Sequence, residues 1–148
     1  MIIKILPLQI PQFWEAIKST IRSVVPASTS QDIQVLYVEA LHALLNDKAQ
    51  CFVCLDNNRI LKGMILTRIG VDKVVGCTYI QFELAYAWDK LTNEDWQETY
   101  ELVMLFCKKA DCKYMLIKSI NPRILEMAAR YGFTKKFEIH QAQIRGGK

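Results

Sequence analysis

The spacing of apolar residues predicts a strand and two helices in the first third of the chain. Residues 2–6 form a short apolar run that predicts a first strand. From Ile10 onwards apolar residues recur at helical spacing until Pro26 closes the segment. A polar break at residues 27–30 precedes a second apolar stripe of helical period, from Ile33 to Leu45, and Ser30 is its expected N-cap.

The periodicity then changes to that of a β-hairpin. Residues 51–55 are a β-rich run, and residues 60–69 supply the expected partner strand. Asparagine tolerates positive φ, so residues 57–58 (Asn-Asn) suit a tight hairpin turn between the two runs. Gly63 is the expected position of a β-bulge in the second strand.

A longer strand is predicted over residues 77–87. Ile80, Phe82 and Leu84 alternate there with Tyr79, Gln81 and Glu83. Successive side chains of a strand point to opposite faces, so the three apolar residues are expected on one face and Glu83 on the polar face.

The last third predicts a helix, a strand, a helix and a strand. Acidic residues in the first turn mark a helix that starts at residues 92–95 and runs to about Ala110. Residues 114–117 are wholly apolar, which is typical of a strand buried on both faces. Asn121 and Pro122 open a last helix that ends at Gly132, and residues 133–144 are expected to form a final strand. The predicted order is β-α-α-β-β-β-α-β-α-β in a single domain, residues 1–148.

Composition places this chain among globular proteins and excludes several other classes. Of its 148 residues 51% are hydrophobic and 23% are charged, which excludes a disordered chain. The net charge of +4 is too small to indicate nucleic-acid binding, although the basic excess lies in residues 118–148. No run of apolar residues is long enough to span a bilayer, and no targeting segment is recognisable. Five cysteines inside apolar segments indicate a reducing compartment, so a cytoplasmic location is expected.

Metal sites and hydrolytic triads find no support in the sequence. Cys51 and Cys54 form a C-x-x-C pair, but on a strand their side chains leave opposite faces. No second pair or suitable histidine completes a zinc set, so no metal is expected and buried thiols are the better interpretation. No serine or cysteine elbow motif accompanies His42 or His140.

The element order and the closing motif together resemble the GNAT superfamily of N-acetyltransferases. Residues 121–133 read Asn-Pro-Arg-Ile-Leu-Glu-Met-Ala-Ala-Arg-Tyr-Gly-Phe, an asparagine followed by a short amphipathic helix and Gly-Phe. The resemblance implies an α/β fold with a mixed sheet, helices on both faces and a V-shaped splay between the fourth and fifth strands. It implies transfer of an acetyl group from acetyl-CoA to a small-molecule or protein amine, and it allows a homodimer.

The resemblance also implies a set of site residues. Glu83 lies where family members often place a general base, either direct or acting through water. Cofactor contacts fall on the backbone at Leu84, Ala85, Tyr86 and Asn93, and on Asn121 after the fifth strand. Two of these residues have structural alternatives: Glu83 as a solvated or hydrogen-bonded strand residue, and Asn121 as the cap of the helix that starts at Pro122.

Two departures from the family pattern leave the function open. The position of the pyrophosphate loop, residues 86–93, contains no glycine, and Asp89, Glu94 and Asp95 surround the helix start. Ala128 stands where the family commonly has a tyrosine that protonates the leaving thiolate. One hypothesis is an N-acyltransferase with an atypical cofactor loop. The other is a non-catalytic binding or structural protein of GNAT fold that has lost CoA binding, similar to some encoded by bacteriophages.

Overall fold

The computed structural model describes residues 1–24, 30–119, 121–136 and 138–144. The chain divides into two compact units, Met1–Lys118 and Ser119–Lys148. Besides a short 3-10 helix at Pro7–Gln9, the described part of the first unit contains eight α-helices and β-strands: β1 (Ile2–Lys4), α1 (Ile10–Val24), α2 (Ser30–Leu45), β2 (Ala49–Leu55), β3 (Leu61–Asp72), β4 (Cys77–Ala87), α3 (Asn93–Lys109) and β5 (Cys112–Ile117). The second unit contains α4 (Pro122–Arg130). The predicted order is confirmed from β1 to α4. The predicted helix end at Pro26 and most of the polar break lie outside the described residues.

The strands form one mixed sheet in the order β1-β2-β3-β4-β5. The first four strands pair antiparallel, and β5 pairs parallel to β4. The predicted mixed α/β class is therefore confirmed. Parallel pairing requires a crossover connection, and α3 provides it between β4 and β5.

Helices cover both faces of the sheet because β2 is apolar on both faces. Cys51 and Val53 lie in a core cluster with Ile17 of α1 and Leu44 of α2. Phe52 points the other way and packs with Val103 of α3. The strand is buried at every position, as a central strand with two covered faces should be.

Two bulges interrupt the antiparallel part of the sheet, one in the β2–β3 pair and one in the β3–β4 pair. In the β2–β3 pair, Cys54 lies opposite Gly63 and Leu55 opposite Leu61, so Lys62 is the extra residue. The bulge thus lies one residue before the predicted Gly63. A bulge leaves its extra residue outside the ladder and re-aims its groups.

The second bulge, at Glu83, overturns the predicted faces of β4. Leu66 lies opposite Leu84 and Thr67 opposite Phe82, so Glu83 is the extra residue. Phe82 packs on the α3 side, whereas Leu84 packs on the side of α1 and α2. The expectation that Leu84 shares a face with Phe82 is wrong because one inserted residue reverses the alternation of every residue after it.

The β2–β3 turn also differs from the expected one. Positive φ falls on Arg59 (63°), and neither asparagine adopts it. Asp56 fixes the loop, because its Oδ1 accepts the backbone N–H groups of Asn58 (2.8 Å) and Ile60 (2.9 Å). The Asp56 carboxylate therefore decides the turn, and the chain returns through a left-handed residue at its end, as in three-residue hairpin loops.

Two expectations about the later strands are wrong. β5 is half-buried at most positions, because it lies at an edge of the sheet. Among the described residues after Phe133, none forms a strand, and all of them are exposed. A strand needs a neighbouring strand for its backbone hydrogen bonds, and the polar, basic residues of this segment bury too little surface to secure one.

Lys62 ties the β4–α3 connection to the sheet. Its backbone oxygen accepts the N–H groups of Trp88 (2.7 Å) and Asp89 (3.2 Å). Its Nζ lies 2.6 Å from Oδ2 of Asp95, in the first turn of α3, and the two side chains are only 15% and 11% exposed. Next to it, the absence of a Cβ at Gly63 makes room for Leu91, since an added Cβ would lie 3.3 Å from that side chain.

The same carboxylate completes a capping box at the start of α3. Oγ1 of Thr92 accepts the N–H of Asp95 (3.1 Å), and Oδ2 of Asp95 accepts the N–H of Thr92 (2.9 Å). Burial raises the pKa of Asp95, but hydrogen bonds from Lys62, Thr92 and Cys54 outweigh it and hold the pKa well below its ordinary value. The bond to Asp95 raises the pKa of Lys62, as expected for an ion pair.

Removing Lys62 should destabilise the protein more than removing the cap. We expect Thr92→Ala to lower the free energy of unfolding by about 1 kcal/mol. Lys62→Met should lower it further, because it leaves the carboxylate of Asp95 buried without a cation. Urea unfolding measures both. Lys113→Met, which breaks an exposed ion pair with Asp111, is the control and should have almost no effect. Equal losses for Lys62→Met and Lys113→Met would contradict the role given to Lys62.

Stability should fall in acid partly through Asp95. The folded-state pKa of Asp95 is lower than the unfolded one, so its contribution is complete above the unfolded value and lost as pH falls below about 4. Between pH of about 6 and about 3, wild type should lose more free energy of unfolding than Asp95→Asn. Parallel pH curves for the two proteins would show that the carboxylate is not stabilised by folding.

Candidate active site

The edge of β4 that faces β5 is open over the second half of the strand. Pairing with β5 ends at Phe82, which lies opposite Ile117, the last residue of β5. Residues 84–87 of β4 pair with β3 on the other side, but residues 83–87 have no partner strand on this side within the described chain. This opening begins at the Glu83 bulge, and it lies between the fourth and fifth strands, where the family resemblance implied a splay.

Glu83 lies beside this opening in a chain of three charged side chains. Its Oε1 accepts a hydrogen bond from Nε of Arg68 on β3 (2.7 Å). The same guanidinium donates Nη1 (2.7 Å) and Nη2 (3.1 Å) to the two carboxylate oxygens of Glu39 on α2. This two-pronged pairing fixes the plane of Arg68 and therefore the rotamer of Glu83. The sequence suggested no partner for Glu83, and the structure supplies Arg68.

The second carboxylate oxygen of Glu83 remains available. No hydrogen bond or ion pair reaches Oε2 from the described residues, and the side chain is 32% exposed. Two carboxylates and one guanidinium leave this group with an excess negative charge. A cationic group would therefore be attracted to this part of the surface, and Oε2 could accept a proton or a hydrogen bond there.

The backbone of β4 presents alternate groups to the open edge. Trp88 donates its N–H to Lys62, on the β3 side. Strand groups alternate in direction, so the N–H groups of Leu84 and Tyr86 also face β3, and those of Ala85 and Ala87 face the opening. Of the three predicted cofactor residues of this strand, Ala85 is therefore the one whose amide is directed outwards.

The connection from β4 to α3 uses most of its own amides. It contains eight N–H groups, residues 88–95, and the protein itself accepts five of them. Trp88 and Asp89 donate to the backbone oxygen of Lys62, and Lys90 donates to the Asp89 side chain. Thr92 donates to the Asp95 side chain, and Asp95 donates to Oγ1 of Thr92. The amides left without a partner in the described chain are those of Leu91, Asn93 and Glu94. Asn93, a predicted cofactor residue, is the first residue of α3.

The three acids at this connection do not act alike. Asp95 is turned inwards into the capping box, and Lys62 compensates its charge, so this carboxylate would not face a bound anion. Asp89 is exposed and its Oδ1 accepts the N–H of Lys90 (2.7 Å). Glu94 is exposed in the first turn of α3. Two uncompensated carboxylates thus remain close to the free amides.

Asn121 lies in the second unit, where it caps α4. Its Oδ1 accepts the N–H of Arg123 (3.0 Å), which confirms the capping alternative. A contact of Asn121 with a cofactor stays a prediction. Ala128, at the position of the family tyrosine, is buried, and Tyr131 follows the helix with its N–H bonded to the Ala128 oxygen.

Three of the five cysteines are buried, namely Cys51, Cys54 and Cys107. Burial raises the pKa of Cys51 to about 12. Burial and the neighbouring carboxylate of Asp95 raise the pKa of Cys54 to about 11. Both side chains are thiols at neutral pH, and they face opposite sides of β2 as predicted. Across the residues that the structure describes, no three His, Cys, Asp or Glu side chains are grouped to hold a metal ion. None of the described helices has the length and apolar character to cross a membrane.

Sequence reasoning missed the two basic residues that organise this site. Lys62 and Arg68 are the two basic residues of the mainly apolar strand β3, and neither belongs to a motif. The available signal was Arg68 itself, because a charge inside a central strand needs a partner of opposite sign. Identifying Glu83 as that partner required the register of β3 against β4, including the bulge.

The residues present fit one part of coenzyme A better than the other. The outward amides of Ala85 and Ala87 can pair with the amide groups of a pantetheine arm, as a strand edge pairs with an extended chain. A diphosphate needs several convergent N–H groups, and the β4–α3 connection has already used most of its own. The opening thus suits an extended, amide-bearing thioester.

Comparison with known proteins gives matches among solved structures only. No protein-family model and no curated protein sequence matches the chain. The ribosomal-protein-alanine N-acetyltransferase of Brucella melitensis biovar Abortus 2308 is similar with a TM-score of 0.68 and 11% identity, over 97% of this chain and 99% of that one. A predicted acetyltransferase from Clostridium acetobutylicum, solved with acetyl-CoA, has a TM-score of 0.72 at 11% identity, over 97% and 95%.

A third similar structure contains an analogue of both reactants. The aminoglycoside N-acetyltransferase AAC(6′)-Iy, in complex with a bisubstrate analogue, has a TM-score of 0.70 and 15% identity, over 98% of this chain and 97% of that one. At these identities the similarity lies in the arrangement of strands and helices. The chain has the fold of the GNAT superfamily of N-acetyltransferases.

Proposed function

We propose that this protein transfers an acetyl group from acetyl-CoA to an amine, with Glu83 as the general base. The observation that carries the proposal is the open edge of β4, which begins at the bulged Glu83 and presents the amides of Ala85 and Ala87. Similar structures are acetyltransferases, and two of those described above contain acetyl-CoA or a bisubstrate analogue.

The chemistry requires a proton acceptor and a polarised carbonyl. Acetyl-CoA supplies an activated acyl carbon: the amine nitrogen forms a bond to it, the carbon–sulfur bond breaks, and the thiolate leaves. Glu83 takes the proton of the incoming ammonium through Oε2, directly or through one water. An outward N–H of β4 would donate to the carbonyl oxygen as negative charge develops on it.

Arg68 is a positioning residue in this scheme. It holds Oε1 of Glu83 at 2.7 Å while Glu39 holds the guanidinium at two points. With Oε1 fixed, Oε2 keeps one direction without a further partner in the described chain. The excess negative charge of this trio favours an acceptor that arrives as a cation, and a small-molecule amine is such an acceptor.

Binding of the donor is the first test. Titration calorimetry at low salt should give a dissociation constant of the order of micromolar to tens of micromolar for acetyl-CoA, typical of enzyme substrates. Ala85→Pro removes one outward N–H and should weaken binding. A proline at Ala129 is not a suitable control, because it would break α4. Leu105→Ala, at an exposed position on α3, serves as the control and should bind like wild type. Absence of heat at millimolar ligand would favour the non-catalytic alternative.

The role of Glu83 can be separated from binding. Glu83→Gln keeps the shape and the acceptor for Arg68 but cannot take a proton, so kcat should fall about 100-fold or more. The affinity for acetyl-CoA should stay unchanged, because the proposal assigns the Glu83 side chain to the amine and not to the donor. Thiol release with a panel of small amines measures kcat, and calorimetry measures affinity. Glu101→Gln, an exposed residue of α3, is the control. An unchanged kcat in Glu83→Gln would assign the base to another group.

A further inference from the structure

The β4–α3 connection is built as a closed turn. In a phosphate-binding loop, consecutive N–H groups converge on the anion, and glycine lets the backbone adopt that shape. Here Lys62 accepts two of these groups at 2.7 and 3.2 Å, both from residues at the start of the connection. The buried carboxylate of Asp95, which pairs with the Lys62 side chain, accepts a third N–H group, that of Thr92. Opening the turn for an anion would break these bonds.

The remaining N–H donors of the connection form a weak binding site for a diphosphate. The free amides of Asn93 and Glu94 are adjacent at the helix start, but the Glu94 side chain is itself an exposed carboxylate. Asp89 places a second exposed carboxylate in the same turn and accepts the N–H of Lys90. Like charges close to a diphosphate oppose its binding, and Lys90 is the one basic side chain within residues 88–95.

Unlike the β4–α3 connection, the open edge of β4 keeps backbone N–H groups without a partner strand. The amides of Ala85 and Ala87 face outwards without a partner strand, immediately after the Glu83 bulge. An extended chain with alternating amide groups can bind there as an additional strand. The pantetheine arm of a thioester donor has this chemistry, and its acyl end would lie toward Glu83.

We propose that this protein recognises its acyl donor through the pantetheine arm alone. Its donor class is therefore pantetheine thioesters in general, and the diphosphate of CoA contributes no binding energy. This inference rests on the proposed function and specifies its donor. Each charge-assisted hydrogen bond to a diphosphate is worth about tenfold or more in affinity. A chain that lacks them should bind pantetheine and CoA almost equally.

The experiment is an amide-resolved NMR titration of the whole chain with three probes: pantetheine, 4′-phosphopantetheine and CoA. We expect dissociation constants that agree within about threefold, since a conventional cradle of several donors would separate them by about 100-fold. The amide signals of Ala85 and Ala87 should shift with all three probes. Those of Trp88 and Asp89, bonded to Lys62, should shift with none.

A variant that opens the turn provides the second readout. Asp89→Gly releases the N–H of Lys90, removes one carboxylate and introduces a glycine, so it should raise the affinity for CoA relative to pantetheine by about tenfold. Asp111→Gly is the matched control, with the same substitution and charge change at the other end of α3, where φ is already 55°. It should leave the ratio unchanged.

The outcomes separate this inference from the proposed function. CoA binding about 30-fold or more tighter than pantetheine, with shifts at Trp88 and Asp89, would overturn the inference and leave the acetyltransferase proposal standing. An equal gain for both probes in Asp89→Gly would also overturn it. If none of the probes shifts the amides of Ala85 and Ala87, the proposed function itself fails.

Discussion

The ion pair between Lys62 and Asp95 ties the β4–α3 connection to the central sheet. It joins a bulge of β3 to the first turn of α3 at 2.6 Å, in a place where both side chains are largely removed from water. Burying two charges is costly, and the cost is offset here because the carboxylate also accepts hydrogen bonds from Thr92 and Cys54. The backbone oxygen of Lys62 then fixes Trp88 and Asp89, so a single residue sets the path of the whole connection.

A second constraint comes from the bulge at Glu83. One extra residue turns Leu84 towards α1 and α2, whereas Phe82 remains on the α3 side. It also brings Glu83 to Arg68, which Glu39 holds from α2. Since β5 ends at the same level, the bulge coincides with the start of the open edge. The proposed base, its proposed positioning residue and the open strand edge therefore all lie at one local irregularity.

These two constraints lead to different conclusions about the two ends of a CoA-like ligand. The open edge offers unpaired backbone groups to an extended thioester arm. The connection at the helix start has used its backbone groups for its own stability. A protein can satisfy a helix N-terminus with its own side chains or leave it for an anion, and here the capping box of Thr92 and Asp95 has taken the first course.

The outcomes of three further predictions, two local and one long-range, have a physical reason. The β2–β3 turn was assigned to asparagine conformations, but the Asp56 carboxylate accepts two backbone N–H groups and moves the left-handed residue to Arg59. A final strand was expected from the apolar residues after Gly132, but a strand depends on a neighbour to pair with, and the described residues there are exposed. Asn121 was given two roles, and the capping role follows from local geometry alone.

The sequence by itself determined the order of elements from β1 to α4, the start of α3 at its acidic first turn and the GNAT resemblance. These features depend on periodicity and on capping residues a few positions apart, which are local properties of a chain. The tertiary structure decided the partner of Glu83, the face of Leu84 and the inward direction of Asp95. Each of these depends on the register between strands or on an ion pair between residues far apart in sequence, such as Lys62 and Asp95. A one-residue bulge changes the register, but the local pattern of apolar and polar residues does not reveal it.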